Sequence, residues 1–218
     1  MRGHSRWEIP LILLLAVLLV FAFTAFVAKP FSIPSGSMES TLQIGDRVLV
    51  NRFDYRFGQI NRGDVVVFDG TDSFVPAASL SPRDPITSIV TAVGQAFGVI
   101  SPDGTDFVKR VIGVAGDRVQ CCDVDGKILV NGQAIVEPYV FAGDPPSTLP
   151  FNVLVPAGKI WVMGDHRSQS ADSRAHLGDP GGGMVPESKV IGRVMAVIWP
   201  PARWGAVSGP DTYAKVSQ

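Results

Sequence analysis

Two short segments of the chain carry residue types that could perform nucleophilic chemistry. The first runs from Pro34 to Met38, where Pro34 and Gly36 bracket serine hydroxyls. Proline and glycine favour a tight, exposed turn, and such a turn can present a serine oxygen and a backbone N–H to a substrate. Many loops contain serine and glycine without any catalytic role, so an ordinary surface loop is the alternative.

The second segment, Phe107–Val114, is an apolar run with two adjacent cations, Lys109 and Arg110, in its middle. Successive side chains of a strand point to opposite faces, so the two cations occupy different environments. If Arg110 is in solvent, Lys109 points inward, and burial lowers the pKa of an amine from about 10.4 toward neutrality. A neutral amine can act as a general base. The alternative is an edge strand with both cations in solvent.

A third segment, 164–174, is dense in hydroxyls, carboxylates and arginines, which makes it unlike a simple core. Within it Asp172 and Arg174 could pair to hold the loop, and Ser170 could hydrogen-bond a neighbouring amine.

Two histidines near this segment suggest other chemistries. His166 or His176 could serve in a Ser-His-Asp triad, or could bind a metal together with Asp165 or Asp179. Neither histidine has the spacing of a known signature, so the sequence predicts no metal site.

The rest of the chain after Pro30 reads as short apolar runs separated by turn residues, which predicts an antiparallel β domain. Asp125-Gly126 and Asn131-Gly132 are signals for tight hairpins. The candidate strands are Arg47–Asn51, Val65–Phe68, Phe107–Val114, Arg118–Cys122, Ile128–Asn131, Ile160–Met163 and Val190–Ile198.

One stretch departs from the strand pattern. Asp84 is a good N-cap and Pro85 a good first helical residue, and apolar residues recur at helical spacing over 86–100. This predicts a short amphipathic helix that packs on the sheet, with a position on the membrane surface as the alternative. The helix lies in a stretch, 70–106, that we interpret as an insertion.

The N-terminal region contains 20 uncharged residues, from Ile9 to Ala28. As a helix this run is about 30 Å long, the thickness of a bilayer core. Arg2 and Arg6 precede it and only Lys29 follows closely, so the positive-inside rule places the N-terminus in the cytoplasm.

These features predict residues 1–8 in the cytoplasm, a single transmembrane helix over 9–28, and an extracytoplasmic β domain over 30–218. The alternative is a cleaved signal peptide. Cleavage after Ala28 or Ala25 would place Phe26 or Phe23 at position −3, where a small residue is needed.

Composition excludes several classes of protein. The 218 residues carry 19 Lys and Arg against 20 Asp and Glu, so there is no general basic field to bind nucleic acid. Two cysteines cannot form a disulfide-dense scaffold or a four-cysteine zinc site. Because Cys121 and Cys122 are adjacent in a predicted strand, they are expected to point apart as free or intermolecular thiols, with a ring disulfide as the alternative.

Four blocks of sequence, in order after the apolar span, resemble the bacterial type I signal peptidases (leader peptidases). These blocks are Ser35–Leu42, Gly45–Phe53, Phe107–Asp117 and Gly164–Arg174. The resemblance implies a membrane-bound serine endopeptidase with a mainly antiparallel β catalytic domain. It also implies a substrate, the preproteins that emerge from the secretion channel, which are cut after a small-x-small (Ala-x-Ala) motif. Membrane lipid is the other implied partner, and neither a cofactor nor nucleic acid is expected.

The resemblance also implies roles for individual residues. Ser37 matches the nucleophile and Lys109 its general base, and Ser35 matches the hydroxyl that joins the Ser37 N–H in the oxyanion hole. Ser170 matches the serine that orients the lysine, and Asp172 and Arg174 match a supporting ion pair. The positions near the pockets for small substrate side chains are Phe31, Ile33, Pro34 and Met38.

The chain departs from the family pattern at five positions. Ser40 and Ala115 replace common prolines, Arg52 replaces a lysine, and His166 and Gln169 replace asparagines. None of these changes removes a residue with an implied catalytic role.

Overall fold

The computed structural model describes residues 9–15, 17, 28–53, 55, 58–76, 105–207, 209 and 211–216. The amphipathic helix predicted after Asp84 lies outside these residues. The predicted insertion, 70–106, is described only at its two ends.

Twelve strands form within the described residues, and all seven candidate strands of the sequence are among them. The longer strands are rich in valine and isoleucine, whose side chains favour extended structure. The strands are β1 (Ala28–Ser32), β2 (Arg47–Asn51), β3 (Val65–Asp69), β4 (Asp106–Gly113), β5 (Arg118–Cys121), β6 (Ile128–Val130), β7 (Gln133–Ala134), β8 (Phe151–Leu154), β9 (Lys159–Met163), β10 (Val185–Pro186), β11 (Val190–Trp199) and β12 (Gly205–Ala206).

The larger sheet has eight strands, seven of them in the order β1-β2-β11-β3-β4-β9-β10, with β12 beside β11. Its neighbouring strands pair antiparallel, as the sequence predicts. Strand β4, which carries the two adjacent cations, lies between β3 and β9 in the interior of the sheet. The edge-strand alternative for this segment is therefore wrong.

The smaller sheet has the order β7-β6-β5-β8 and contains both predicted hairpins. Only Asn131 and Gly132 separate β6 from β7, and their φ angles are 51° and 78°. Positive φ at both central residues is the requirement of a type I′ turn, which Asn-Gly satisfies at little steric cost.

Within the part of the chain that the structure describes, three clusters of buried side chains form the core. One lies under the smaller sheet and includes Trp161, together with Tyr213 and Val216 near the C-terminus. A second packs Phe31, Ile33 and Met38 against valines of the larger sheet. The third lies on one face of the neighbouring strands β3, β4 and β9. Tyr213 and Val216 thus bring the segment after β12 into the core.

The N-terminal boundary differs from the sequence prediction by one residue. Ala28, assigned to the end of the apolar span, is the first residue of β1, where it pairs with Asn51 and is 1% exposed. Among the described residues, no helix is both long enough and apolar enough to cross a bilayer.

The expectation for the two cysteines is wrong. Cys121 and Cys122 are joined by a disulfide. The argument that they point apart assumed that both lie in a strand, but β5 ends at Cys121, so strand alternation does not govern the pair.

Candidate active site

Ser37 lies in a single 3₁₀ turn, Gly36–Met38, that follows β1 by a few residues. The turn is closed by the Glu39 N–H, which donates to the Gly36 carbonyl at 3.0 Å. Ser37 is 7% exposed, and its neighbour Met38 is packed into the second cluster. The expected turn is therefore present, but Ser37 within it is buried, whereas the sequence predicted an exposed turn.

Lys109 reaches this turn from the middle of β4. It pairs with Val66 of β3, and two residues earlier Phe107 pairs with Phe68. Because directly opposed residues share a face, Lys109 leaves the sheet on a side covered by valine and phenylalanine. Its Nζ donates a hydrogen bond to Ser37 Oγ at 2.6 Å. Two residues 72 positions apart are thereby brought into direct contact.

Burial is the main influence on the Lys109 amine. It lowers the pKa of Lys109 from 10.5 to about 8, while the charges of Asp172 and Asp165 act in the opposite direction and that of Arg174 lowers it further. The lowered pKa brings the neutral amine within reach near physiological pH. Lys109 is 3% exposed and so points inward, although the expectation was conditional on an Arg110 in solvent.

The accompanying idea, that Arg110 is in solvent, is wrong. Arg110 is 1% exposed on the opposite face of β4. Its Nε and Nη2 donate to the two carboxylate oxygens of Asp165 at 2.8 and 2.6 Å. Its guanidinium lies 4.0 Å from the ring centroid of Tyr139. A bidentate carboxylate and an aromatic face together compensate for the loss of water, which is why a buried arginine is tolerated here.

Asp172 and Arg174 form the ion pair that the sequence suggested. Arg174 donates to both Asp172 oxygens, at 2.8 and 2.7 Å, and also to the Arg167 carbonyl at 2.9 Å. Burial alone would raise the pKa of Asp172, but the hydrogen bonds and charge of Arg174 and a hydrogen bond from the Gly164 N–H lower it. The pair fixes the loop after β9 beside Lys109.

Removing one partner of this buried pair should be costly. Arg174→Met leaves the Asp172 carboxylate buried without its cation, and we expect the free energy of unfolding at pH 7 to fall by about 3–5 kcal/mol. Lys127→Met breaks an exposed pair with Asp125, at 3.5 Å, and should cost less than about 1 kcal/mol. Urea titration of both variants checks this, and equal losses would contradict it.

Ser170 is close to the site but does not make the hydrogen bond to a lysine amine that the sequence suggested. Its Oγ is buried and makes no hydrogen bond of good geometry to a described residue, but the hydroxyl is near enough to the Asp172 carboxylate to help lower the pKa of Asp172. The side chain instead packs against Gly164, where an added Cβ would lie 2.5 Å from Ser170 Cβ and 2.5 Å from the Ser37 carbonyl oxygen.

This close approach makes Gly164 sensitive to substitution. Gly164→Ala must displace Ser170 or the backbone of Ser37, so we expect about a 100-fold loss of kcat/KM and a lower melting temperature. Gly178→Ala is the control, because a Cβ there meets no described atom within 4 Å. Peptide cleavage assays with both variants test the expectation, which fails if Gly164→Ala is fully active.

The remaining sequence-predicted residues lie around Ser37. Phe31 and Ile33 are buried with Met38, whereas Pro34 and Ser35 are exposed. Ser35 is the N-cap residue of the turn, and its side chain makes no capping hydrogen bond there. Its hydroxyl is therefore not committed to the turn.

Sequence reasoning missed the polar residues behind the nucleophile. Thr41 Oγ1 donates a hydrogen bond to Asp165 Oδ2 at 2.5 Å. The same Asp165 carboxylate accepts the hydrogen bonds of Arg110. Arg167 donates to the Glu137 carboxylate at 2.6 Å and to the Gly164 carbonyl at 2.8 Å. The high density of charged residues over 164–174 indicated that this segment forms polar contacts. It did not identify their partners, because residues as distant in sequence as Glu137 form no local pattern with the segment.

Neither histidine is the partner of the nucleophile within the described structure. Ser37 Oγ bonds to Lys109, whereas the His166 ring contacts Glu39 at 3.2 Å. His176 pairs with Asp179 at 2.7 Å and stacks on Phe74. No group of three or more metal-ligating side chains is found in the described ranges.

Comparison with known proteins places the chain in a family. Residues 6–199 match the family model "Signal peptidase, peptidase S26". The chain is 39% identical over 238 residues to the probable signal peptidase I of Mycobacterium leprae (strain TN), covering 97% of this chain and 82% of that protein. It is 41% identical over 223 residues to signal peptidase I of Mycobacterium tuberculosis (strain CDC 1551 / Oshkosh), covering 92% and 74%. Signal peptidase I of Leptolyngbya laminosa is 34% identical over 199 residues, covering 91% and 82%.

The match spans both segments that meet at Ser37 and Lys109. The chain therefore belongs to the signal peptidase family, peptidase S26, whose members are serine peptidases that cleave signal peptides.

Proposed function

We propose that this chain removes signal peptides from exported preproteins with Ser37 as nucleophile and Lys109 as general base. The observation that carries the proposal is the 2.6 Å hydrogen bond between Lys109 Nζ and Ser37 Oγ, both buried. A nucleophile and a base within hydrogen-bond reach is the arrangement that covalent catalysis requires.

The proposed mechanism follows from the protonation of Lys109. When neutral, its amine accepts the Ser37 proton as Oγ attacks the scissile carbonyl. The lysine ammonium then donates that proton to the leaving amine, which leaves an acyl ester on Ser37. Water attacks the ester, with Lys109 again accepting a proton, and releases the signal peptide.

The negative charge that develops on the substrate carbonyl oxygen must be stabilised by hydrogen-bond donors. We assign this role to the Ser37 N–H and the Ser35 hydroxyl, each contributing about 3 kcal/mol. The exposed position of Ser35 and the absence of a capping bond in the turn support the assignment.

The apolar cluster beside the nucleophile supports a preference for small side chains at positions −1 and −3. Phe31, Ile33 and Met38 pack together in one buried cluster next to Ser37, and the small exposed part of this cluster is proposed to line an apolar wall of the site. A wall of this kind accommodates alanine and offers little space for large residues. Pro34 is the exposed member of this group.

We also propose a single N-terminal membrane anchor, with residues 1–8 in the cytoplasm and the β domain outside. The apolar side chains described between Ile9 and Val17 are helical and about 60% exposed, as lipid-facing side chains would be. Because β1 begins at Ala28, Ser37 lies within about ten residues of the anchor. Signal peptides of preproteins leaving the secretion channel end near the same surface.

Cleavage of a precursor with an Ala-x-Ala motif by the detergent-solubilised chain tests the function. We expect a single cut after the second alanine, identified by N-terminal sequencing of the product. Precursors with phenylalanine at −1 or −3 should resist cleavage, whereas phenylalanine at −2 should be tolerated. Equal cleavage of all of these precursors would contradict the proposed specificity.

A further inference from the structure

The turn that carries Ser37 has little internal support. It is a single 3₁₀ turn, and Ser35 does not cap it. Short 3₁₀ segments have poor hydrogen-bond geometry and low intrinsic stability. The orientation of Ser37 therefore depends on contacts from outside the turn.

One residue of the neighbouring loop, His166, contacts the turn twice. Its backbone N–H donates to the Ser37 carbonyl at 3.1 Å. Its ring Nδ1 lies 3.2 Å from Glu39 Oε2. The Glu39 carboxyl group also packs on Gly36, where an added Cβ would lie 3.2 Å from the Glu39 carboxyl carbon. His166 thus contacts the middle of the turn directly and reaches its first residue, Gly36, through the Glu39 side chain.

His166 is itself fixed by a different part of the chain. Its ring stacks on Phe141, with centroids 4.0 Å apart and planes at 13°. Its Nε2 lies 4.0 Å from a carboxylate oxygen of Asp144, which also accepts the Ser168 N–H at 2.9 Å. The imidazole is therefore held independently of the turn that it contacts.

We propose that Glu39 and His166 are positioning residues that hold the nucleophile turn in its reactive orientation. The inference rests on the proposed role of Ser37 as nucleophile. Neither side chain bonds to Ser37 Oγ, whose partner is Lys109, so the pair acts through the backbone of the turn. Its loss should lower the rate of acylation and leave precursor binding unchanged.

The test compares Glu39→Ala, His166→Ala and the double variant in steady-state cleavage of an Ala-x-Ala precursor. We expect each single variant to lower kcat about tenfold, with KM within about twofold, because small misplacements of a nucleophile are costly. The double variant should lose no more than either single variant, since both remove the same contact. Glu39→Gln should retain kcat within about threefold, because its amide oxygen can still accept a hydrogen bond from the ring.

A second histidine–carboxylate pair in the chain provides the control. His176 contacts Asp179 at 2.7 Å and stacks on Phe74, and His176→Ala should leave kcat unchanged. Assays run well below each melting temperature separate positioning from stability.

Three results would overturn the proposal: unchanged kcat in the alanine variants, losses that multiply in the double variant, or a change in KM alone, which would show that Glu39 contacts the precursor. Ser37→Ala, assayed in parallel, separates the two proposals. Its full activity would refute the Ser37 mechanism itself, whereas an inactive Ser37→Ala beside a normal Glu39→Ala would refute only the positioning role.

Discussion

Ser37→Ala should abolish precursor cleavage, with a fall in kcat of at least about 10⁴-fold. The substitution removes the oxygen that forms the acyl ester and leaves Lys109 without the group it is proposed to deprotonate. Loss of a nucleophile leaves only the rate enhancement provided by binding and the oxyanion donors. Precursor binding should persist, because the apolar wall of Phe31, Ile33 and Met38 is untouched.

Cleavage of the Ala-x-Ala precursor at saturating concentration measures this effect. Ser188→Ala, at an exposed serine far along the chain, is the matched control and should cleave at the wild-type rate. The melting temperature of Ser37→Ala should fall only modestly, because the substitution removes one buried hydroxyl and its hydrogen bond to Lys109 but leaves the packing around the turn in place. Wild-type activity in Ser37→Ala would mean that another residue is the nucleophile.

Lys109→Met should lower kcat by about 10³-fold, the typical contribution of a positioned general base. Methionine keeps most of the length and the apolar stem of the lysine but cannot accept a proton. Ser37 would keep its place in the turn, yet its hydroxyl would no longer be activated. The same cleavage assay measures the loss, with Lys127→Met as an exposed control that should be fully active.

The same substitution should make the protein more stable at neutral pH. The pKa of Lys109 is lowered by burial from 10.5 to about 8, which corresponds to about 3 kcal/mol of cost for holding the charged amine in the fold. Below pH 8 both the folded and the unfolded states are protonated, so the full cost is present.

As the pH rises from about 8 to 10.5 the unfolded state binds more protons, and wild-type stability should increase. Lys109→Met lacks this increase and should exceed wild-type stability most clearly below pH 8. Urea titrations at pH 7 and pH 10 test this. A Lys109→Met variant less stable than the wild type at pH 7 would contradict the burial argument.

Much of the larger sheet could be predicted from local sequence. The runs over β2, β3 and β4 are rich in valine and are bounded by turn residues. Short strands such as β7, β10 and β12 were missed because two residues carry no periodic signal. Ala28 was assigned to the wrong element because an apolar residue fits the end of a membrane span and a buried strand equally well.

The site could be predicted only in part, and for different reasons at different residues. Strand alternation separated Lys109 from Arg110, but the burial of both cations depends on tertiary partners that the local sequence does not reveal. The carboxylate that binds Arg110 belongs to Asp165, 55 residues away. The contact between Ser37 and Lys109 followed from the family resemblance, since nothing in their spacing brings residues 72 apart together.

The central claim is that a buried, neutral Lys109 activates Ser37, and the pH dependence of kcat/KM tests it most directly. This profile reports ionisations of the free enzyme. We predict an acidic limb with a midpoint near pH 8, matching the lowered pKa of Lys109, because only the deprotonated amine can accept the Ser37 proton. A midpoint between about 6 and 7, the ordinary range of histidine, would contradict the account and assign the base to an imidazole.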